Sequence, residues 1–254
     1  MSQKRIDASF NENFRQMLAH AREAPPTPTH GVLGTDKLPE SSYDQRIDYL
    51  LQRIPHGARV LDLGCGYGHM LHFLKNRRGA EVLGLEHSAE RVAECLRIGV
   101  PTLQADCGDP DDANLRYALS QNWDVVMAID TIFYWRFPAV IVAALAPKVK
   151  EFYVTVANAT HFKNLKAALR GEYPHQPNSR TIITSEAREI EFNTGFNVHY
   201  WTSKTFPIWA QALGFSSEML ARRSVSAKYL PLPPLPSLFC RSLLFKLTPK
   251  TVVV

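Results

Sequence analysis

Three glycines in five residues follow an acidic side chain in the run Asp62-Leu-Gly64-Cys65-Gly66-Tyr67-Gly68. Glycine at that density lets a chain turn sharply and bring bare backbone N–H groups against a ligand. Glu86 closes the next apolar run, 22 residues beyond Gly64, and is followed by His87. A carboxylate in that position can accept hydrogen bonds from two ribose hydroxyls. Asp106, with Cys107 beside it, follows a third apolar run and can accept from the exocyclic amine of an adenine ring. Together these residues point to an adenosine-containing ligand. Asp62 ahead of the glycines suits a cationic amino-acid moiety better than a pyrophosphate, which a carboxylate would repel. The fingerprint of a nicotinamide dinucleotide site needs a glycine at position 69, and the residue there is His69. The spacing therefore favours S-adenosylmethionine over NAD, with Asp62, Gly64, Cys65, Gly66, Gly68, Glu86, His87, Asp106 and Cys107 as its contacts.

A second group of residues could serve a methyl acceptor. Methyl transfer from a sulfonium is an in-line displacement, which asks mainly for positioning and exclusion of water. Asp130, Thr131 and Tyr134 follow the fourth apolar run, at the edge where open α/β sheets bind ligands. Asp130 could contact the cofactor or act as a base; the plain alternative is a loop carboxylate. His161 and His199 could each take a proton from an oxygen or nitrogen nucleophile near neutral pH, although a single histidine is usually a surface or hydrogen-bonded residue. Asn158, Tyr173 and Asn197 could orient the acceptor. The aromatic run Phe133-Tyr134-Trp135 could line a pocket but more often marks core. The four cysteines, Cys65, Cys95, Cys107 and Cys240, form no Cys-x-x-Cys pair, so neither a zinc site nor a disulfide framework is expected.

The elements that must hold these residues alternate. Ile47, Leu50, Leu51 and Ile54 fall on one face of a helix ended by Pro55 and Gly57. Arg59 to Leu63 reads as a buried strand, and the glycine run turns it into a helix carrying Met70, Leu71 and Leu74 inward. Glu81 to Leu85 is a second strand, and Ser88 is placed to cap a helix burying Val92, Cys95 and Leu96. Further strands are expected at 101–105, 123–128 and 151–156, and the last two at 217–224 and 242–247. Strand–helix alternation of this kind gives parallel βαβ units: an α/β fold with a doubly wound, mainly parallel, seven-stranded sheet. The alternation lapses after Asn158, so residues 157–201 are expected to form an insertion, with Phe162, Leu165 and Leu169 marking a helix closed by Gly171 and short strands at 181–184 and 189–192. Phe206, Trp209, Ala210 and Leu213 mark another helix, closed by Gly214. Residues 1–42, interrupted by Pro25, Pro26 and Pro28, are expected to form an arm or lid outside the domain at 43–254.

A chain of 254 residues that is 45% hydrophobic and 21% charged has the material for one sizeable core. Met1 to Phe14 lacks the apolar stretch of a secretory signal, and no run reaches the ~18 to 20 apolar residues that span a bilayer, so a cytoplasmic protein is expected. The net charge of +5 is spread along the chain rather than clustered, which argues against nucleic acid as a partner.

The stretch Val60-Leu-Asp-Leu-Gly-Cys-Gly-Tyr-Gly68 resembles class I S-adenosylmethionine-dependent methyltransferases, over about Tyr43 to Ala157 and the final strands. Arg46-Ile-Asp48, Leu169-Arg-Gly-Glu-Tyr-Pro174, Asn193-Thr194, Asn197-Val-His199 and Thr202 are similar to the MetW-like branch, named for a protein linked to methionine biosynthesis. The chain departs from that branch at Gly195-Phe196, where a Pro-Asn pair is usual, and at Tyr67, where an acidic residue is usual. The resemblance implies methyl transfer to a small-molecule acceptor, with oxygen or nitrogen favoured and carbon left open. Arg46, Lys163, Arg170, Arg180 and Arg188 would suit an anionic substrate if some of them converge on the cleft, although surface placement is the commoner fate of such residues. It also implies a second function class, a cofactor-binding partner of an acyltransferase without turnover of its own, which would carry an exposed apolar patch around Leu232 to Phe245. A homodimer is the other assembly expected.

Overall fold

The computed structural model describes residues 49–171, 199–224, 229–231 and 237–250. The expected arm at 1–42, the helix before residue 49, the short strands at 181–184 and 189–192, and the site candidates Tyr173 and Asn197 lie outside the described residues.

Eight strands are hydrogen-bonded in the orders β3-β2-β1 and β4-β5-β8-β6-β7. They fall in two compact units, 1–106 and 107–254. The first unit begins, within the described residues, with helical residues 49–51, whose Leu50 and Leu51 are buried, as is Ile54 just beyond them. It continues through β1 (Arg59–Leu63), α1 (His69–Arg78), β2 (Glu81–Glu86), α2 (Ala89–Arg97) and β3 (Thr102–Gln104). β1 pairs parallel with β2, Asp62 opposite Gly84, and β2 pairs parallel with β3. Val60, Leu61, Leu63 and Leu85 are completely buried, as strands covered on both faces require. α1 lays Leu71 and Leu74 into the core and α2 lays in Val92 and Cys95, while Met70 and Leu96, also expected inward from periodicity, are only half-buried. α2 starts where expected, because the Ser88 hydroxyl accepts from the Arg91 amide.

The second unit contains α3 (Ala113–Ser120), β4 (Trp123–Ala128), a 3-10 turn at Ile132–Tyr134, α4 (Pro138–Leu145), β5 (Val149–Ala157), α5 (Phe162–Leu169), α6 (Thr205–Ala212), β6 (Phe215–Ser224), β7 (Tyr229–Pro231) and β8 (Cys240–Pro249). β4 and β5 are parallel; β8 runs antiparallel between β5 and β6, Val154 opposite Phe245. The expected seven strands are therefore all present, and three-residue β7 is added against β6. Phe206 of α6 is buried with its ring 4.6 Å from that of Phe245, and Phe152 lies 6.3 Å from Phe215. β5 leaves the sheet at Asn158, which bridges to Trp201, while the Trp201 amide donates to the Ala157 carbonyl at 3.0 Å. The chain thus departs and returns at the same point. Helix α5 forms where Phe162, Leu165 and Leu169 marked it, but those side chains face outward, and within the helix only Ala167 is buried.

Candidate functional site

The glycine run in the first unit turns the chain between β1 and α1. Gly64, Gly66 and Gly68 all have positive φ, at 83°, 60° and 72°, a region costly to any residue with a Cβ. The amides of Gly64 and Cys65 donate to the Leu85 carbonyl at 2.8 and 2.9 Å, tying the loop to the end of β2. Gly68 also lacks a side chain for steric reasons, since a Cβ there would lie 2.9 Å from the Cys95 sulfur. At Gly66 a Cβ would meet nothing within 4 Å, so the loop presents open backbone there.

Two buried carboxyls frame this loop. Glu86, 2% exposed, accepts from the Gly66 amide through Oε2 at 3.0 Å and from the Ser88 amide through Oε1 at 3.1 Å. His87 Nδ1 and Arg91 Nη1 lie 3.0 and 3.6 Å from Oε1. Asp62 is 5% exposed and has no cation beside it among the described residues. Burial, and secondarily the Glu86 charge, raise its pKa from 3.8 to about 7. A buried carboxyl in that state is a ready partner for a ligand's ammonium group. The Cys65 thiol is held well above its ordinary value, first by its hydrogen bond with Cys95 and then by burial, which keeps it protonated. Asp106 is exposed just beyond β3, at the end of this unit; Cys107 is buried and belongs to the other.

Sequence reasoning missed two residues that shape the loop. Gly84 gives Cys65 its space: a Cβ on Gly84 would stand 2.5 Å from the Cys65 sulfur. Arg91 lies against Glu86 and over the Tyr67 ring, 5.5 Å from its centroid. An isolated glycine inside an apolar strand was the available signal for Gly84; nothing in the sequence pointed to Arg91.

In the second unit Asp130 follows β4 with φ of 57°, the one non-glycine residue with positive φ among those described. Thr155, fully buried in β5, holds it there by accepting from its amide and donating to its carboxylate at 2.9 Å. Strained backbone over-determined by its neighbours is a mark of functional positions. Burial, then the Asp130 charge, push the Tyr134 phenol above its ordinary pKa. Phe133 and Trp135 are core, while Tyr134 is 36% exposed. His199 is tied to this same turn, its amide donating to Phe133 O at 3.1 Å and its Nε2 lying 2.8 Å from Trp135 O. A carbonyl only accepts, so Nε2 is the donor there, and in the neutral ring the lone pair falls on Nδ1. Asp130, Tyr134 and His199 are thus brought together, and His161 stands apart from them. It is 3% exposed at the N-terminus of α5, its Nε2 has no hydrogen-bond partner among the described residues, and burial, then Arg241 and Lys163, lower its pKa. Asn158 is completely buried, donating to Cys240 O at 2.7 Å and accepting from Thr160. That is a structural role at the root of the excursion.

This strand order, with a glycine turn after β1 and a carboxylate ending β2, defines a Rossmann-like methyltransferase fold. The chain aligns over 98% of its length, and 100% of the other's, with magnesium protoporphyrin IX methyltransferase from Synechocystis PCC 6803 at a TM-score of 0.55 and 13% identity. It aligns likewise with a SAM-dependent methyltransferase from Archaeoglobus fulgidus (TM-score 0.53, 15% identity, 81% of this chain and 91% of that one). A profile of the family described as "Methionine biosynthesis protein MetW" matches residues 44–237, and the chain belongs to that family. It is also 29% identical over 133 residues to a ubiquinone biosynthesis O-methyltransferase of Xylella fastidiosa (strain 9a5c), a match covering 50% of this chain. The chain thus spans 54% of that curated relative's length. Among the described residues no helix is long and apolar enough to cross a membrane.

Proposed function

We propose that this protein binds S-adenosylmethionine at the glycine loop and transfers its methyl group to a small-molecule acceptor. The observation that carries the reading is the pairing of buried Asp62, which has no cationic partner among the described residues, with Glu86, whose carboxylate is fixed by the Gly66 and Ser88 amides. One suits the ammonium of the amino-acid moiety and the other suits the ribose hydroxyls, while open backbone at Gly66 admits the ligand between them. His87 and Asp106 are proposed to complete the contacts. When bound, the cofactor supplies an electrophilic methyl on a sulfonium. For the acceptor we propose the cluster of Asp130, Tyr134 and His199. With Nε2 engaged by Trp135 O, Nδ1 is the nitrogen of His199 left to receive a proton from an oxygen or nitrogen nucleophile, and the Tyr134 phenol, kept protonated, can donate a hydrogen bond. His161 is proposed to position the start of α5. Residues 157–201 and the segment 1–42 are proposed to cover the acceptor. Incubation with methyl-tritiated S-adenosylmethionine and fractionated small-molecule extracts tests the reading. Tritium in a small product with release of S-adenosylhomocysteine supports it; cofactor binding with no transfer to any fraction would favour a non-catalytic partner of an acyltransferase.

A further inference from the structure

Helix α5 is an anomaly in a well-packed unit. Its sequence, Phe-Lys-Asn-Leu-Lys-Ala-Ala-Leu from 162 to 169, buries only Ala167. Phe162 is 37% exposed, Leu165 41% and Leu169 88%. They fall at i, i+3 and i+7, so they form one apolar ridge along the helix. The ridge extends sideways, because the ring of Phe239, itself 45% exposed, lies 6.2 Å from that of Phe162. A soluble surface normally scatters such residues singly; a contiguous ridge of two leucines and two phenylalanines marks a contact face.

The charges around it say what kind of face. Lys163 and Lys166 are exposed on the same helix, and the helix carries no acidic residue at all. Protein interfaces are depleted in lysine at their apolar centres. A short helix with an aromatic and leucine ridge flanked by lysines is instead the composition of a helix that lies in a lipid interface, its apolar side chains among the acyl chains and its ammonium groups at anionic headgroups. We infer that α5, with Phe239, docks peripherally on an anionic phospholipid surface. The inference stands independently of the cofactor-binding reading, since none of these residues belongs to the glycine loop or to the Asp130 cluster; it gives the outer face of α5, within the segment proposed to cover the acceptor, a role of its own.

The test is sedimentation of the full-length protein with vesicles of phosphatidylcholine alone and with vesicles containing about one quarter phosphatidylglycerol, at low and at high salt. The expected result is binding to the anionic vesicles only, weakened by salt. A surface lysine contributes about fivefold to such binding, so Lys163→Glu with Lys166→Glu should reduce it at least about twentyfold. Leu169→Asp should reduce it by a similar factor, and its exposure makes it harmless to the fold. Titration with S-adenosylhomocysteine checks that both variants are intact, and it reports separately on the cofactor site. Absence of vesicle binding, equal binding to both compositions, or binding that the variants leave unchanged would overturn the inference. Retention of an acidic protein in place of vesicles would overturn it as well, and would assign the ridge to a protein interface.

Discussion

Lowering the pH from about 8 to about 6 should weaken cofactor binding through one group, Asp62. Its carboxyl is buried beside Glu86 and in the free protein titrates at about 7. A ligand ammonium placed against it would favour the carboxylate and return the pKa toward the usual carboxylate range. Binding is then linked to loss of a proton. The affinity is at its full value above about pH 7 and falls about tenfold for each further unit below, which amounts to roughly tenfold between about pH 8 and about pH 6. Calorimetric titration with S-adenosylhomocysteine across this range measures the slope directly. Repeating it near neutrality in buffers of different ionisation enthalpy counts the released proton. Asp62→Asn keeps the shape and removes the titration, so its binding should be weaker and nearly independent of pH. Stability carries the opposite sign. Because the folded value lies above the ordinary 3.8, the contribution of Asp62 is fully present below 3.8 and is lost as pH rises through about 7. That gap is worth up to about 4 kcal/mol, so ligand-free Asp62→Asn should gain stability over the parent at alkaline pH and little at acid pH. Affinity flat with pH in the parent protein, or an equal slope in Asp62→Asn, would refute this reasoning.

Glu86→Ala removes both the proposed ribose contacts and the acceptor for the Gly66 amide, and should weaken S-adenosylhomocysteine binding by about a hundredfold or more in an equilibrium titration. Gly68→Ala forces a Cβ into a positive-φ position and against the Cys95 sulfur; chemical denaturation should show a loss of about 1 to 3 kcal/mol, part of which Cys95→Ala restores. His161 is buried near two cations and its pKa is lowered, so its contribution to stability is present above the ordinary 6.5 and is lost as pH falls below that value. Replacing it with Gln should flatten the acid limb of a plot of melting temperature against pH. Thr155→Val removes the hydroxyl that holds Asp130 in its left-handed conformation, and should lower turnover with a measured acceptor while leaving S-adenosylhomocysteine affinity within a few-fold.

The elements were legible in the sequence wherever local pattern and burial agree. β1 and β4 occupy 59–63 and 123–128 as the apolar runs indicated, and Ser88 caps α2. β5 was read two residues short at its start and one at its end, since its ends are set by pairing, Val149 with Trp123 of β4 and Ala157 with Ser242 of β8, rather than by hydrophobic pattern. The glycine loop was legible because each glycine has a conformational reason that any sequence must meet. The neighbours that tune it were not: Gly84 and Cys95 act through contacts across 19 and 30 residues of chain from Cys65, which spacing cannot reveal. Likewise the clamp of Thr155 on Asp130 depends on two strands lying side by side. The outward turn of Phe162, Leu165 and Leu169 ran against their hydrophobic character, because periodicity gives a helix its face but not what covers that face.

The central claim, that the loop from Asp62 to Gly68 is an S-adenosylmethionine site, is tested most directly by calorimetric titration of the purified protein with S-adenosylhomocysteine and, separately, with NAD, alongside Glu86→Ala. The account predicts micromolar binding of S-adenosylhomocysteine that Glu86→Ala weakens, with no heat from NAD. Binding of NAD alone, or S-adenosylhomocysteine binding indifferent to Glu86, would contradict it.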